Sequence, residues 1–292
     1  MRINFEFQFY LVLKNIFILG LFLPFLASCT AINSYFEEGD APQKLKEGRT
    51  GFRLALTRVL GRPLSQFVRI TKAPYGKLSF AADLQEHLYR TLKPLDIVLV
   101  RSRPALTRFF IPSHFTHAVI WLGHPDQIIA SGILNFPRVR KHRRVLLSGN
   151  VVFEAKGSKV QLSDSRALFN TNEIIILRPK LENILNYRKR VNHMFEYLGV
   201  EFDTNFDFND ESRLTCIEVI GKVFPQFELP IRYTTGRFAL IPDDLARLAL
   251  KDNPHIEFVE YIKSAPVKRF KKLPASDVHA VLTVPARKKA AN

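Results

Sequence analysis

Four short apolar runs, at 97–100, 118–122, 151–153 and 174–177, most constrain what this chain can fold into. Each has the length of a strand, and each is bounded by turn residues or charges, so the middle of the chain reads as sheet. Helix signals follow. Residues 181–198 have helix length, with Ile184, Val191, Phe195 and Leu198 spaced near 3.5 residues, and Gly199 stands where a C-terminal cap belongs. A second helix is expected near Cys216 and a third from Pro242-Asp243-Asp244, where proline suits the first turn and the acids complement the helix dipole. Residues 255–262 alternate and read as a last strand. From Ser264 onward, Pro, Lys and Ala enrichment reads as a disordered basic tail.

Upstream, Arg2 and Lys14 flank an apolar run at 16–26 that is too short to span a bilayer, which needs about 20 such residues. It ends in Leu26-Ala27-Ser28-Cys29, which resembles the lipobox of bacterial lipoproteins. That resemblance implies a signal over 1–28 that is removed and a lipid carried by Cys29. With Thr30 rather than Asp next, it also implies sorting to the outer membrane, facing the periplasm. Residues 29–91 then read as a tether and a helical lead-in, with Leu84, Leu88 and Leu92 at intervals of four.

The chain has two cysteines. Lipidation of Cys29 leaves Cys216 without a disulfide partner, so it is either sealed in the core or kept for reactivity. Its neighbourhood favours reactivity. Thr215 and Glu218 stand three apart before an apolar run, a capping-box pattern that makes Cys216 the first residue of a helix. Free backbone N–H groups and the dipole there stabilise a thiolate, the nucleophilic form. A thiol nucleophile needs a base, and His117, at the mouth of an apolar run, is the best placed of eight histidines; His114 lies on the preceding loop. Glu154, following Val152-Phe153, fits the group that orients the imidazole. No zinc-type Cys/His spacing, phosphate-cradling glycine loop or Gly-x-Ser-x-Gly elbow is present, and no cofactor or metal is expected.

Five segments together carry a resemblance: Pro94-Leu95-Asp96-Ile97-Val98, Phe115-Thr116-His117-Ala118, Val152-Phe153-Glu154-Ala155, Gly199-Val200-Glu201-Phe202-Asp203 and Leu214-Thr215-Cys216-Ile217-Glu218. The chain resembles the permuted papain-like cysteine hydrolases of the NlpC superfamily, in particular the YiiX and YaeF-like branch, over about 92–263. The order His117, Glu154, Cys216 is that of the circularly permuted branch. The resemblance implies an α+β fold, with an antiparallel sheet packed on helices. It also implies a Cys216 nucleophile, a His117 base and a Glu154 orienting acid, and a cleaved amide or ester. The family often has Gly-Asp where Leu95-Asp96 stands. Asp96 and Asp203 read as structural, through turn hydrogen bonds.

A net charge of +16 points to anionic neighbours outside the cytoplasm, lipid or cell-wall polymer, rather than nucleic acid. The charge concentrates in Arg138, Arg140, Lys141, Arg143 and Arg144 and in the tail. The leading expectation is a lipid-anchored envelope cysteine hydrolase acting on a cell-wall peptide or a lipid. The alternative is a non-catalytic envelope lipoprotein that holds anionic polymer or lipid.

Overall fold

The computed structural model describes residues 76–101, 113–181, 183–234 and 237–283. The signal, the lipidated Cys29, the tether and the first part of the lead-in expected from the sequence lie outside them, as does the end of the tail.

The apolar runs form strands β1 (Ile97–Arg101), β2 (His117–Trp121), β3 (Val152–Lys156) and β5 (Glu173–Pro179). With β4 (Lys159–Ser163), β6 (Glu201–Phe202), β7 (Arg213–Leu214), β10 (Ile256–Ala265) and β11 (Arg269–Leu273) they build one sheet in the order β11-β10-β5-β1-β2-β3-β4-β6-β7. Every neighbouring pair is antiparallel except β6 with β7. The two remaining strands, β8 (Arg232–Thr234) and β9 (Arg237–Ala239), form a separate hairpin. The central strands are apolar over Ile97 to Val100 in β1 and Ile174 to Leu177 in β5 because both faces are covered there, and Ile97, Leu99 and Ile174 to Leu177 are fully buried. The fold is α+β, as expected.

The helices are α1 (Leu84–Thr91), α2 (Pro125–Ser131), α3 (Pro137–Arg140), α4 (Arg143–Leu147), α5 (Ile184–Met194), α6 (Cys216–Val223), α7 (Pro242–Ala249) and α8 (Ala275–Thr283). Leu84 and Leu88 are the buried face of α1, as their spacing requires. In α5, Asn183 caps the start, accepting from the N–H groups of Leu185 and Asn186, and Gly199 beyond the end takes φ +90°. None of the described helices is long and apolar enough to cross a membrane.

Two turns next to the sheet are held by buried acids. Asp96 is fully buried and accepts from the Arg178 guanidinium at 2.7 and 2.8 Å and from the Lys93 N–H at 2.8 Å. Asp203, also fully buried, accepts from the N–H groups of Asn205 and Asp207. Burial pushes both carboxyls above their usual range, partly offset by these donors. Leu95 has φ +71°, a left-handed conformation that glycine adopts without strain. Its side chain is nonetheless fully buried, and its N–H donates to the Trp121 carbonyl, so packing holds the conformation.

The tail corrects the sequence reading. Residues 264 to 283 are ordered: β10 runs on to Ala265, β11 pairs antiparallel with it, and α8 follows with Val278 and Leu282 buried. Lysines and arginines on an edge strand block further strand addition, and β11 carries Arg269, Lys271 and Lys272 for that position. Lys272 also pairs with Glu260 at 2.8 Å.

Candidate active site

Strand alternation puts the first two residues of the site side by side. Ile120 is opposite Phe153 and Trp121 opposite Val152. Continued by one residue, that register sets Glu154 across from Val119. His117 and Val119 share a face, so Glu154 is the diagonal neighbour of His117, within reach of long side chains. The contact is made: His117 Nε2 lies 2.6 Å from Glu154 Oε2. Glu154 is 2% exposed, so this is a sheltered pair and not a surface one.

The third residue arrives on α6, which packs across β2 and β3. Its start is the capping box expected from the sequence. Thr215 Oγ1 accepts from the Glu218 N–H at 3.3 Å, and a Glu218 carboxylate oxygen accepts from the Thr215 N–H at 2.6 Å. Cys216 is therefore the first helical residue, 8% exposed and not disulfide-bonded. Burial pushes the Glu218 carboxyl up, against the two Thr215 hydrogen bonds, and this weakens the repulsion it exerts on charge at Cys216.

The electrostatics tie the three residues together. Burial alone would lower the His117 imidazole. The charge of Cys216 and its hydrogen bond, followed by the hydrogen bond and charge of Glu154, outweigh burial and raise it from 6.5 to about 9. Burial would raise Glu154, but the His117 hydrogen bond and charge, with Lys156 and the Ser163 hydroxyl, bring it from 4.5 down to about 2. At neutral pH the imidazole is thus held as a cation between a thiol side chain and a carboxylate. Because Nε2 faces Glu154, Nδ1 is the nitrogen left for the sulfur. Such an arrangement keeps a thiolate ready for attack and a proton ready for a leaving group.

His114, three residues earlier, belongs to a different cluster. In the cross-strand rows, Val100 pairs with His117 on one face, and the next residue, Arg101, pairs with Glu173 on the other. Glu173 takes His114 Nε2 at 2.7 Å, the Tyr261 hydroxyl at 2.5 Å and Arg101 at 3.1 Å, with Lys263 at 3.5 Å. These partners, His114 first and then Tyr261, overcome burial and hold the Glu173 carboxyl at about 2.

Sequence reasoning missed Asp243. In the sequence it stands as an acid suited to a helix start, within the Pro-Asp-Asp-Leu segment from Pro242 to Leu245 that the resemblance covers. It is buried and accepts from the backbone N–H groups of His114 at 2.7 Å and Phe115 at 2.9 Å, pinning the segment that leads into His117. Only the placement of an acid at the helix start was visible, because the partners lie 129 and 128 residues away.

A groove of about 390 Å³ runs along the other side of α6, lined in part by Leu214, Glu218, Gly221, Lys222 and Leu240. Helical periodicity separates it from the thiol, because Glu218, Gly221 and Lys222 point away from the face carrying Cys216, Val219 and Ile220. Among the described residues, no group of three or more His, Cys, Asp or Glu side chains is placed to hold a metal ion.

No curated protein and no solved structure matches the chain. A family model described as permuted papain-like amidase enzyme, YaeF/YiiX, C92 family, matches residues 91–273, which include β1 to β11 and all of His117, Glu154 and Cys216. With well over half its length matched and its sheet and helices fitting that family, the chain belongs to the permuted papain-like amidases, and is a cysteine hydrolase of that amidase class.

Proposed function

We propose that this is a lipid-anchored cysteine hydrolase of the cell envelope, in which Cys216, His117 and Glu154 cleave an amide or ester bond through a thioester. The observation that carries the reading is the 2.6 Å His117–Glu154 pair, with the imidazole raised to about 9 by Cys216 and Glu154 despite burial. The Cys216 thiolate attacks the carbonyl carbon, a C–S bond forms, and the carbonyl oxygen takes negative charge, received by free N–H groups at the start of α6. As the C–N or C–O bond breaks, imidazolium gives its proton to the leaving group, and an amine or alcohol departs. Water then attacks the thioester and gives a proton to His117. The C–S bond breaks, the acid leaves, and the thiolate–imidazolium pair returns.

The lipobox-like segment ending at Cys29 and the basic composition support an anchored, envelope-facing enzyme. Cell-wall peptides and lipid acyl or amide groups are the proposed substrate classes. Incubating the protein separately with purified peptidoglycan and with phospholipid vesicles, and weighing the products by mass spectrometry, distinguishes them. Labelling by a thiol-directed acyl probe should vanish in Cys216→Ala and fall strongly in His117→Ala. Full labelling of Cys216→Ala would sink the assignment of the nucleophile.

A further inference from the structure

We infer that helices α3 and α4 form a docking ridge for the anionic phosphate surface of a lipid bilayer, at the end of the sheet opposite the catalytic thiol. The inference rests on the lipid-anchored reading for the presence of a bilayer nearby.

The chain between β2 and β3 holds no Asp or Glu from 127 to 153, yet it carries Arg138, Arg140, Lys141, Arg143 and Arg144. All five are exposed. Arg138 pairs with Glu196 at 2.8 Å, and among the described residues no ion pair involves the other four. Cations left unpaired on a folded surface give a field that attracts phosphate. Two exposed apolar side chains lie in the same insertion, Ile129 at 55% and Val145 at 40% exposure. Cations and exposed apolar side chains carried on one insertion suit the boundary between headgroups and acyl chains, and this favours a bilayer over a soluble polymer.

Topology sets the orientation. His117 opens β2 and Trp121 closes it; the chain leaves for α2 to α4 from the Trp121 end and re-enters the sheet at Val152, opposite Trp121. At about 3.3 Å per residue, a strand's length separates that end from His117. A bilayer against the ridge therefore lies at the end of β2 remote from His117 and Cys216.

The test is vesicle flotation of the full chain, comparing phosphatidylcholine vesicles with vesicles that also contain phosphatidylglycerol. An anchor contributes to both, so the ratio of the two affinities reads the ridge. The parent should favour the anionic vesicles at least tenfold, and the preference should shrink with salt. Each cation near an acidic leaflet is worth roughly fivefold, so Arg140→Ala, Lys141→Ala, Arg143→Ala and Arg144→Ala together should bring the ratio close to one. Arg140→Lys, Arg143→Lys and Arg144→Lys together should keep the preference, which separates charge from misfolding. An unchanged ratio in the alanine variant overturns the inference. So does a parent that binds inorganic polyphosphate but does not discriminate between the vesicles. Probe labelling of Cys216 should persist in both variants; its loss in the parent would count against the catalytic reading and not against the ridge.

Discussion

Replacing Glu154 by glutamine keeps the shape of the site and removes one charge. In the native protein the Glu154 carboxyl sits at about 2 rather than 4.5. For so sheltered a group, that difference corresponds to roughly 3 kcal/mol of preference for the ionised, imidazolium-paired form. The interaction is mutual, so its loss must lower the imidazole as well. Cys216 is the larger of the two influences that raise His117 and Glu154 the smaller, so the two substitutions should rank. Proton NMR titration of the His117 ring, assigned by its disappearance in His117→Ala, should give a midpoint near 9 in the native protein. The midpoint should fall by at least one pH unit in Glu154→Gln and further in Cys216→Ala. With 3 kcal/mol less to hold the imidazolium, thiol alkylation by iodoacetamide at neutral pH should slow by about a hundredfold at most. A midpoint that stays at 9 in Glu154→Gln, or drops more there than in Cys216→Ala, would refute the account of how this base is held.

The same pair should leave a mark on stability. Glu154 is lowered on folding, so its contribution is present above pH 4.5 and is lost as pH falls through about 2; His117 is raised, so its contribution is present below 6.5 and is lost as pH rises through about 9. Urea unfolding across pH should show both losses, and Glu154→Gln should shrink the acid one to the share that Glu173, also held at about 2, contributes. Asp243→Asn should destabilise by about 1–3 kcal/mol through the lost backbone acceptor and cut kcat about tenfold with little change in KM, measured once a substrate is in hand. Asp96→Ala leaves the Arg178 guanidinium without its buried partner and should lower stability by about 3–5 kcal/mol in denaturant titration. Leu95→Gly relieves about 1 kcal/mol of left-handed strain but empties a fully buried leucine site, so calorimetry should show a net loss of roughly 1–3 kcal/mol.

What could be read in the sequence was what local chemistry writes there. The four apolar runs became β1, β2, β3 and β5 because strands covered on both faces must be apolar along their length. Thr215 and Glu218 gave away the start of α6 because a capping box is closed within four residues. Strand β4, Lys159-Val160-Gln161-Leu162-Ser163, does alternate, but with two apolar residues, of which only Val160 is buried, it is a far weaker signal than the continuous apolar runs. In β11 the basic residues of an edge strand looked like the composition of a disordered tail. Asp243 and Glu173 were opaque for another reason. Their partners come from β1, β10 and the approach to β2, and only the folded sheet brings those segments together.

Of these features, the pairing of His117 with Glu154 across two strands has a consequence for how such a site can change. Side chains on a strand switch faces at every residue, so deleting or inserting a single residue between Val152 and Glu154 would turn the carboxylate to the far side of the sheet. The stretch between β2 and β3, in contrast, joins the strands at their other end and can grow or shrink without disturbing that meeting. Lineages of this fold are thus free to restyle the connecting helices, while the few residues around 117 and 154 tolerate exchange of side chains but no change in count.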